Sequence, residues 1–212
     1  MITAERLFAV HGVEGVSLRQ IGVDSGMANN SVVQYHFGSK EGLIDAILVR
    51  RLNDLTERRR MLFARVGTES IRPVAEAQLL PLMELADREG CYYLMFLEQL
   101  ERHNAIDDAM ERLASTHKRS QDSYVERMAR LLRHIPPQLR TARVNQASAL
   151  CLHTGADRQR ARHFGLAVAP FALHVSQLLD GVEAFLSAKP SADTLHALKT
   201  SSGANPSVRA LP

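Results

Sequence analysis

Two short helical signals separated by a glycine turn constrain the start of this 212-residue chain more tightly than any other feature. The stretch SLRQIGVDSGM begins at Ser17 and carries Gln20 three residues later. This spacing is a capping-box pattern, which starts a helix and satisfies amides of its first turn. Gly26 is the residue type that commonly ends a helix. The pattern therefore predicts a helix at about 18–24 followed by a turn.

A second short helix follows this turn within NNSVVQYHFGSK, residues 29–40. We place it at about 30–36, with Val33 and Phe37 four residues apart and therefore both facing inward. Three other side chains share the opposite face: Ser31, Gln34 and Tyr35. Two short helices joined by a glycine-containing turn are typical of a helix-turn-helix, whose second helix enters the major groove of DNA.

The rest of the chain has the pattern of longer helices. Only 5% of the residues are aromatic and tryptophan is absent, whereas leucine, alanine, arginine and glutamate recur, which favours helices over a β-sandwich or barrel. Apolar periodicity and helix breakers predict an all-α fold of about nine helices. Besides the pair above and a long fourth helix, they lie at about 2–10, 73–88, 91–103, 107–133, 137–154 and 163–187, with at most a short further helix at about 193–198.

The fourth helix connects two predicted domains. Ser39 caps it, and six apolar residues between Leu43 and Leu55 fall on one side. We therefore expect it to begin against the N-terminal bundle and to leave it as a connecting rod, with its arginines at 50–51 and 58–60 on a solvated face. The predicted units are a helix-turn-helix domain at 1–48, a ligand-binding and dimerisation domain at 49–190, and a mostly flexible tail at 191–212.

Residues that could carry catalysis or bind a metal form no recognisable pattern. There is no nucleophile motif, phosphate loop, HExxH or paired-carboxylate pattern, and the histidines beyond residue 100 show no i, i+4 ligand pair. We predict a protein that is not an enzyme and that uses no cofactor or metal. No apolar run approaches the roughly 20 residues needed to cross a bilayer, so we expect a cytoplasmic protein. Its two cysteines, Cys91 and Cys151, are then buried thiols, with a disulfide as the minor alternative.

The segment AERLFAVHGVEGVSLRQIGVDSGMANNSVVQYHFGSKEGLIDAIL resembles the DNA-binding domain of the TetR family of transcriptional regulators. The shared features are a helix ending in LF, a glycine turn, a hydroxyl-led helix, a second glycine turn, an HF pair, a small-residue turn and a lysine. The resemblance implies a homodimer that binds operator DNA through its first helices and a small-molecule effector through its C-terminal helices. It also implies that the last two helices pair across a two-fold axis.

Carried over by position, the resemblance implies that Ser17 and Lys40 meet DNA phosphates from the starts of two helices. The whole predicted DNA-binding set is Ser17, Asn29, Asn30, Ser31, Gln34, Tyr35, His36 and Lys40. The chain departs from the family pattern by one additional residue between Gly26 and Phe37, and by Gln34 where tyrosine is common. It also begins inside the first helix, where the family has a basic extension, which leaves open a start upstream of Met1.

Two further sets of residues are predicted in the C-terminal domain. Aromatic and methionine side chains at helical spacing are ordinarily core, but together with a few polar groups they can line a small-molecule site. The predicted pocket comprises Phe63, Met83, Tyr92, Met95, Phe96, Gln99, His103, Tyr124 and Met128. The predicted dimer interface comprises Ala149, Leu152, Phe171, Val175, Leu178, Leu179 and Val182.

The charge of the first 45 residues is unfavourable for DNA binding. Three basic and five acidic side chains give a formal charge of −2, which the helix N-termini at Ser17, Asn29 and Ser39 offset in part. The sequence nevertheless predicts a ligand-responsive DNA-binding regulator, a homodimeric repressor released from a palindromic operator by a small molecule. The alternative is an all-helical binding or enzymatic protein whose N-terminal domain recruits a protein partner.

Overall fold

The computed structural model describes residues 1–27, 32–67, 70–102 and 105–200. These residues form ten α-helices and no strand. The prediction of an all-α fold is confirmed. In chain order the helices are α1 (Ile2–His11), α2 (Leu18–Asp24), α3 (Val32–Phe37), α4 (Lys40–Phe63), α5 (Ile71–Ala86), α6 (Tyr93–Arg102), α7 (Ala105–Leu131), α8 (Pro137–His163), α9 (Phe171–Ser187) and α10 (Ala192–Thr200). None of these helices is long and apolar enough to cross a membrane.

Local hydrogen bonds set both ends of α2. At its start, Ser17 Oγ accepts a hydrogen bond from Gln20 N at 3.1 Å, as the capping pattern predicts. The Gln20 side chain donates to Asp24, one turn further on. At the other end Gly26 has a φ of +68°, and Met27 N donates to Gly22 O at 3.1 Å, which is the Schellman arrangement of a helix C-terminus.

The small N-terminal helices contact the rest of the chain through α1 and α4. We call helices α5 to α9, together with the second half of α4, the body. The predicted apolar side of α4 is buried, because Leu43, Ile44, Ile47, Leu48, Leu52 and Leu55 are each at most 5% exposed. Helix α1 packs against α6, where the rings of Phe8 and Phe96 stack with their centroids 6.0 Å apart. The first helix of the small bundle is therefore attached to the body directly as well as through the long connecting helix.

The boundary between α8 and α9 differs from the prediction. Helix α8 continues through Gly155 to His163, whereas the sequence pattern predicted its end at about 154. Gly155 lies inside the helix, at a point where a Cβ would clash with Leu94 Cδ1 of α6. This glycine therefore permits close packing of α8 against α6. The actual stop is Gly165, with a φ of +69°, where Leu166 N donates to Ala161 O at 2.9 Å.

The arginines of α4 also differ from the prediction. Arg58 and Arg60 pair with Glu84 and Glu57 at the surface. Arg51 and Arg59, in contrast, are only 9% and 4% exposed, so the prediction of a solvated face is wrong for these two. Burial lowers the pKa of Arg59 to about 10, and its Nε donates to the carbonyl oxygen of Gln78 at 3.0 Å. These two guanidinium groups belong to the interior of the body.

Candidate nucleic-acid interface

Helix α3 separates an anchoring face from an exposed face. Val33 is 2% exposed and Phe37 is partly buried against the core, as the spacing predicts. Three consecutive side chains are exposed to solvent: Gln34, Tyr35 and His36. Tyr35 is 86% exposed, and its ring meets that of His36 edge-on at 5.5 Å. Gln34 Nε2 donates to Gly38 O at 3.0 Å, so this amide lies over the C-terminal end of the helix.

Two helix starts flank this exposed face. Ser39 Oγ accepts from Gly42 N at 3.0 Å and caps α4, as Ser17 caps α2. The next residue, Lys40, donates from Nζ to Val13 O at 2.9 Å, which holds its ammonium group beside the turn between α1 and α2. An ammonium group has three donors, so this bond leaves two for other acceptors.

Three members of the predicted DNA-binding set lie outside the described residues: Asn29, Asn30 and Ser31. The other five are described, and they occupy one short helix and two neighbouring helix starts. The geometry thus matches a helix-turn-helix, in which one exposed helix face and adjacent helix N-termini are available to a duplex.

Comparison with known families agrees with this geometry. Residues 2–47 match the family described as bacterial regulatory proteins, tetR family. The chain carries a TetR family domain. The protein is therefore a DNA-binding transcriptional regulator. No curated protein matches the chain.

Two acidic side chains of the TetR family domain are neutralised by arginines outside its first 45 residues. Arg51 binds Glu5 through both Nε and Nη2, at 2.8 Å each. Arg112 of α7 binds Asp45 of α4 in the same two-point manner, at 2.9 and 2.7 Å. The formal charge of −2 therefore overstates the negative charge of the DNA-facing domain, since two of its five carboxylates are already paired.

Glu5 also joins the TetR family domain to the start of α6. Its side chain is buried, and Oε1 accepts from the backbone nitrogen of Tyr92 at 3.0 Å. The guanidinium group of Arg51 lies 5.9 Å from the ring centroid of Tyr93, on the next residue. Burial lowers the pKa of Arg51, but the hydrogen bonds and charge of Glu5 outweigh this effect and raise it. One carboxylate thus connects α1, α4 and α6.

Gln159 of α8 completes the cap of α6 from the other side. Its Oε1 accepts from Leu94 N at 3.0 Å and from Met95 N at 3.1 Å. Its Nε2 donates to the carbonyl oxygens of Ala86 and Cys91 at 2.9 and 3.0 Å. Side chains from α1 and α8 therefore satisfy the first amides of α6, a group of contacts that we call the α6 joint.

Neither Glu5 nor Gln159 was predicted from the sequence as a functional or structural residue. For Glu5 a signal existed, because it shares the inward side of α1 with Phe8 and Ala9, three and four residues away. A charged residue on an apolar helix face is normally paired when it is buried. Gln159 gave no such signal, since a single glutamine among charged residues of a long helix is unremarkable.

Most described members of the predicted effector pocket are buried. Five of them are at most 4% exposed: Met83, Met95, Phe96, Tyr124 and Met128. Tyr92 is half-buried. Phe96 stacks on Phe8 of α1, Gln99 Oε1 lies near Gly12 at the end of α1, and Phe63 lies 5.0 Å under the guanidinium group of Arg127. Tyr92 lines one cleft and Met83 lines a different one. His103 lies outside the described residues.

Four members of the predicted dimer interface belong to the core of one chain. These are Leu152, Leu178, Leu179 and Val182, which are at most 7% exposed and so have little surface left for a partner chain. The sequence pattern located an apolar face but not which element covers it. Ala149, Phe171 and Val175 are partly buried. The larger exposed apolar side chains of α8 and α9 are Leu150 and Leu173, 40% and 49% exposed.

The cysteines are both free thiols, as predicted, but differ in burial. Cys151 is buried, and burial raises the pKa of its thiol to about 12. Cys91 is half-buried, with Sγ 3.9 Å from Glu5 Oε1. The prediction of a buried thiol is therefore wrong for Cys91, because it lies at the edge of the α6 joint.

Proposed function

We propose that the protein is a cytoplasmic, homodimeric repressor that binds a palindromic operator and leaves it when a small-molecule effector binds. The exposed side of α3 carries the DNA-reading part of this proposal. Tyr35 is 86% exposed while Val33, two residues away, is 2% exposed. Packing within the described chain does not account for an aromatic side chain presented in this way. A glutamine beside it offers both a donor and an acceptor to an adenine edge in the major groove.

Charge pairing supports DNA binding. With Glu5 and Asp45 paired to arginines of α4 and α7, three basic and three acidic side chains remain in the first 45 residues. The domain is then close to neutral, and the capped starts of α2 and α4 present partial positive charge to phosphates. The charge of the first 45 residues then no longer favours a protein partner over DNA.

A homodimer would present two α3 helices to successive major grooves, which lie roughly 34–36 Å apart along B-form DNA. The exposed side of α9 offers a surface for the partner chain. It carries Leu173, Gln177 and Ala184, spaced so that they share one side of the helix opposite the buried Leu178 and Val182. We therefore place the dimer contact on this side of α9 and around Leu150 of α8.

An effector would act through the two connections between the TetR family domain and the body. Helix α4 runs from one into the other, and α1 is attached to α6 through the Phe8–Phe96 stack and the α6 joint. A ligand that shifts either helix changes the separation of the two α3 helices. Ligand binding and operator binding are then linked, and each weakens the other by the same factor.

An electrophoretic mobility shift with the DNA upstream of the protein's own gene tests the DNA-reading role. Tyr35→Ala and Gln34→Ala should each weaken binding by about ten- to a hundredfold, as expected for about 1–3 kcal/mol per base-contacting side chain. Circular dichroism should show unchanged folding, because both side chains are exposed. Leu195→Ala, an exposed apolar residue of α10, is the control and should leave the shift unchanged.

The same experiment separates the proposal from a domain that recruits a protein. No shift of wild-type protein at low salt, with any natural upstream residues restored, would favour the protein-recruiting alternative. A shift that Tyr35→Ala and Gln34→Ala leave intact would instead show that α3 is not the reading helix.

A further inference from the structure

A polar cleft of about 160 Å³ lies where the loop between α5 and α6 meets the C-terminal end of α8. This is several times the roughly 30 Å³ that one water molecule occupies in the liquid, so a small molecule fits. The polar lining comes from Arg88, Glu89, Tyr92, Gln159, Arg162 and His163. The cleft is distinct from the α3 surface and, apart from Tyr92, from the predicted effector pocket.

The lining has the donors that recognise oxyanions. Arg162 Nη1 donates to Asp87 O at 2.7 Å and to Asp87 Oδ1 at 2.8 Å, which fixes this guanidinium group at the cleft wall. The side chain of Arg88 is exposed. The Tyr92 hydroxyl group and His163 Nδ1 are 3.4 Å apart. Guanidinium groups bind carboxylates and phosphates through paired N–H donors.

The formal charge of the lining favours an anion. The charged lining residues are Arg88, Arg162 and Glu89, two guanidinium groups and one carboxylate. The nearby carboxylate of Asp87 pairs with Arg158 and Arg162, so three guanidinium groups in all stand against two carboxylates, a formal excess of one positive charge. A ligand of this size that carries one or two negative charges would therefore meet a net positive lining.

The cleft borders the α6 joint. Cys91 lines the cleft, and its Sγ lies 3.9 Å from Glu5 Oε1. Tyr92 lines the cleft with its side chain and binds Glu5 with its backbone nitrogen. A bound anion in the cleft would repel the Glu5 carboxylate across Cys91 and Tyr92. This repulsion would weaken the hydrogen bond that Glu5 accepts from Tyr92 N.

We propose that this cleft is a regulatory site for a small oxyanion, a phosphate or carboxylate group, and that its occupation loosens the α6 joint and weakens DNA binding. The regulatory half rests on the proposed function, whereas the binding half stands without it.

Titration calorimetry and thiol labelling of the full chain test the binding half. Inorganic phosphate and acetate, titrated in separate arms at an ionic strength matched with chloride, distinguish the two sources of oxyanion. We expect saturable binding of one of them and slower labelling of Cys91, while the buried Cys151 is the unreactive internal reference. Arg88→Gln should weaken binding at least about tenfold, since it removes a charge-assisted contact. Arg65→Gln, an exposed arginine elsewhere, should leave it unchanged.

Absence of saturable binding in both arms, or equal binding by the Arg88→Gln variant, would overturn the binding half. A mobility shift at matched ionic strength tests the regulatory half: the bound anion should weaken the operator complex of wild-type protein but not that of Arg88→Gln. An equal effect on both proteins would overturn regulation. Failure of wild-type protein to bind any DNA would count against the proposed function, while calorimetry and Cys91 protection would still decide the binding half.

Discussion

At the scale of single residues, Glu5 shows how one buried side chain can connect distant parts of the chain. A buried carboxylate is costly unless it is paired and hydrogen-bonded. Glu5 meets this requirement with Arg51, 46 residues away, and with Tyr92 N, 87 residues away. The TetR family domain is therefore attached to the body through a charge that neither part could bury alone.

Removal of this carboxylate should be strongly destabilising. Glu5→Ala leaves the Arg51 guanidinium group buried and should lower the free energy of unfolding by roughly 3–5 kcal/mol, measured by urea denaturation. Glu5→Gln should cost less, because an amide oxygen can still accept from Tyr92 N. The control is Arg50→Ala, an exposed neighbour of Arg51, which should change the free energy by less than about 0.5 kcal/mol. A loss below about 1 kcal/mol for Glu5→Ala would show that the pair is not structurally important.

At the scale of elements, the sequence pattern predicted helix positions well where the ends carry local signals. The Ser17 and Ser39 caps and the turn at Gly26 all lie where they were predicted, because each depends on atoms within one or two turns. The end of α8 was wrong for the opposite reason. The pattern predicted the end at about 154, but the helix continues through Gly155, whose close packing depends on Leu94 of another helix.

Gly155→Ala distinguishes close packing from intrinsic helix preference. Alanine is favoured over glycine inside a helix by about 1 kcal/mol, which alone would stabilise α8. The added Cβ would clash with Leu94 and lie 3.3 Å from Met83 Cε, and overpacking of this kind costs about 1–3 kcal/mol. We therefore expect net destabilisation in thermal or urea unfolding. Gly67→Ala, where no atom lies within 4 Å, is the control, and an equal or higher stability of Gly155→Ala would contradict the packing role.

At the scale of the whole molecule, the exposed sides of α8 and α9 are the surface on which we propose that two chains associate. Glutamate at Leu178 or Leu179 would disrupt the core, since both are buried within one chain. Leu150 and Leu173 are the residues whose apolar surface is exposed. A test of the dimer must therefore place charge on these two positions.

The variant Leu150→Glu/Leu173→Glu should be a folded monomer of 23.5 kDa by light scattering, because two carboxylates in each chain would be buried without partners in the interface. Wild-type protein should have twice this mass. Met61→Glu, at an exposed apolar residue of α4, should remain dimeric. Retention of the dimer by the double variant would exclude this side of α8 and α9 as the interface.

The sequence by itself determined the all-α fold, the short helices at the N-terminus and the outward side of α3, because periodicity, caps and turns act over a few residues. The tertiary structure decided that Arg51 and Arg59 are interior, that Leu178 and Val182 are core, and that Glu5 and Gln159 cap α6. Each of these outcomes depends on which distant helix covers a side chain and supplies its hydrogen-bond partner. A pattern within one helix specifies which sides are apolar, but only the packed chain specifies what lies against them.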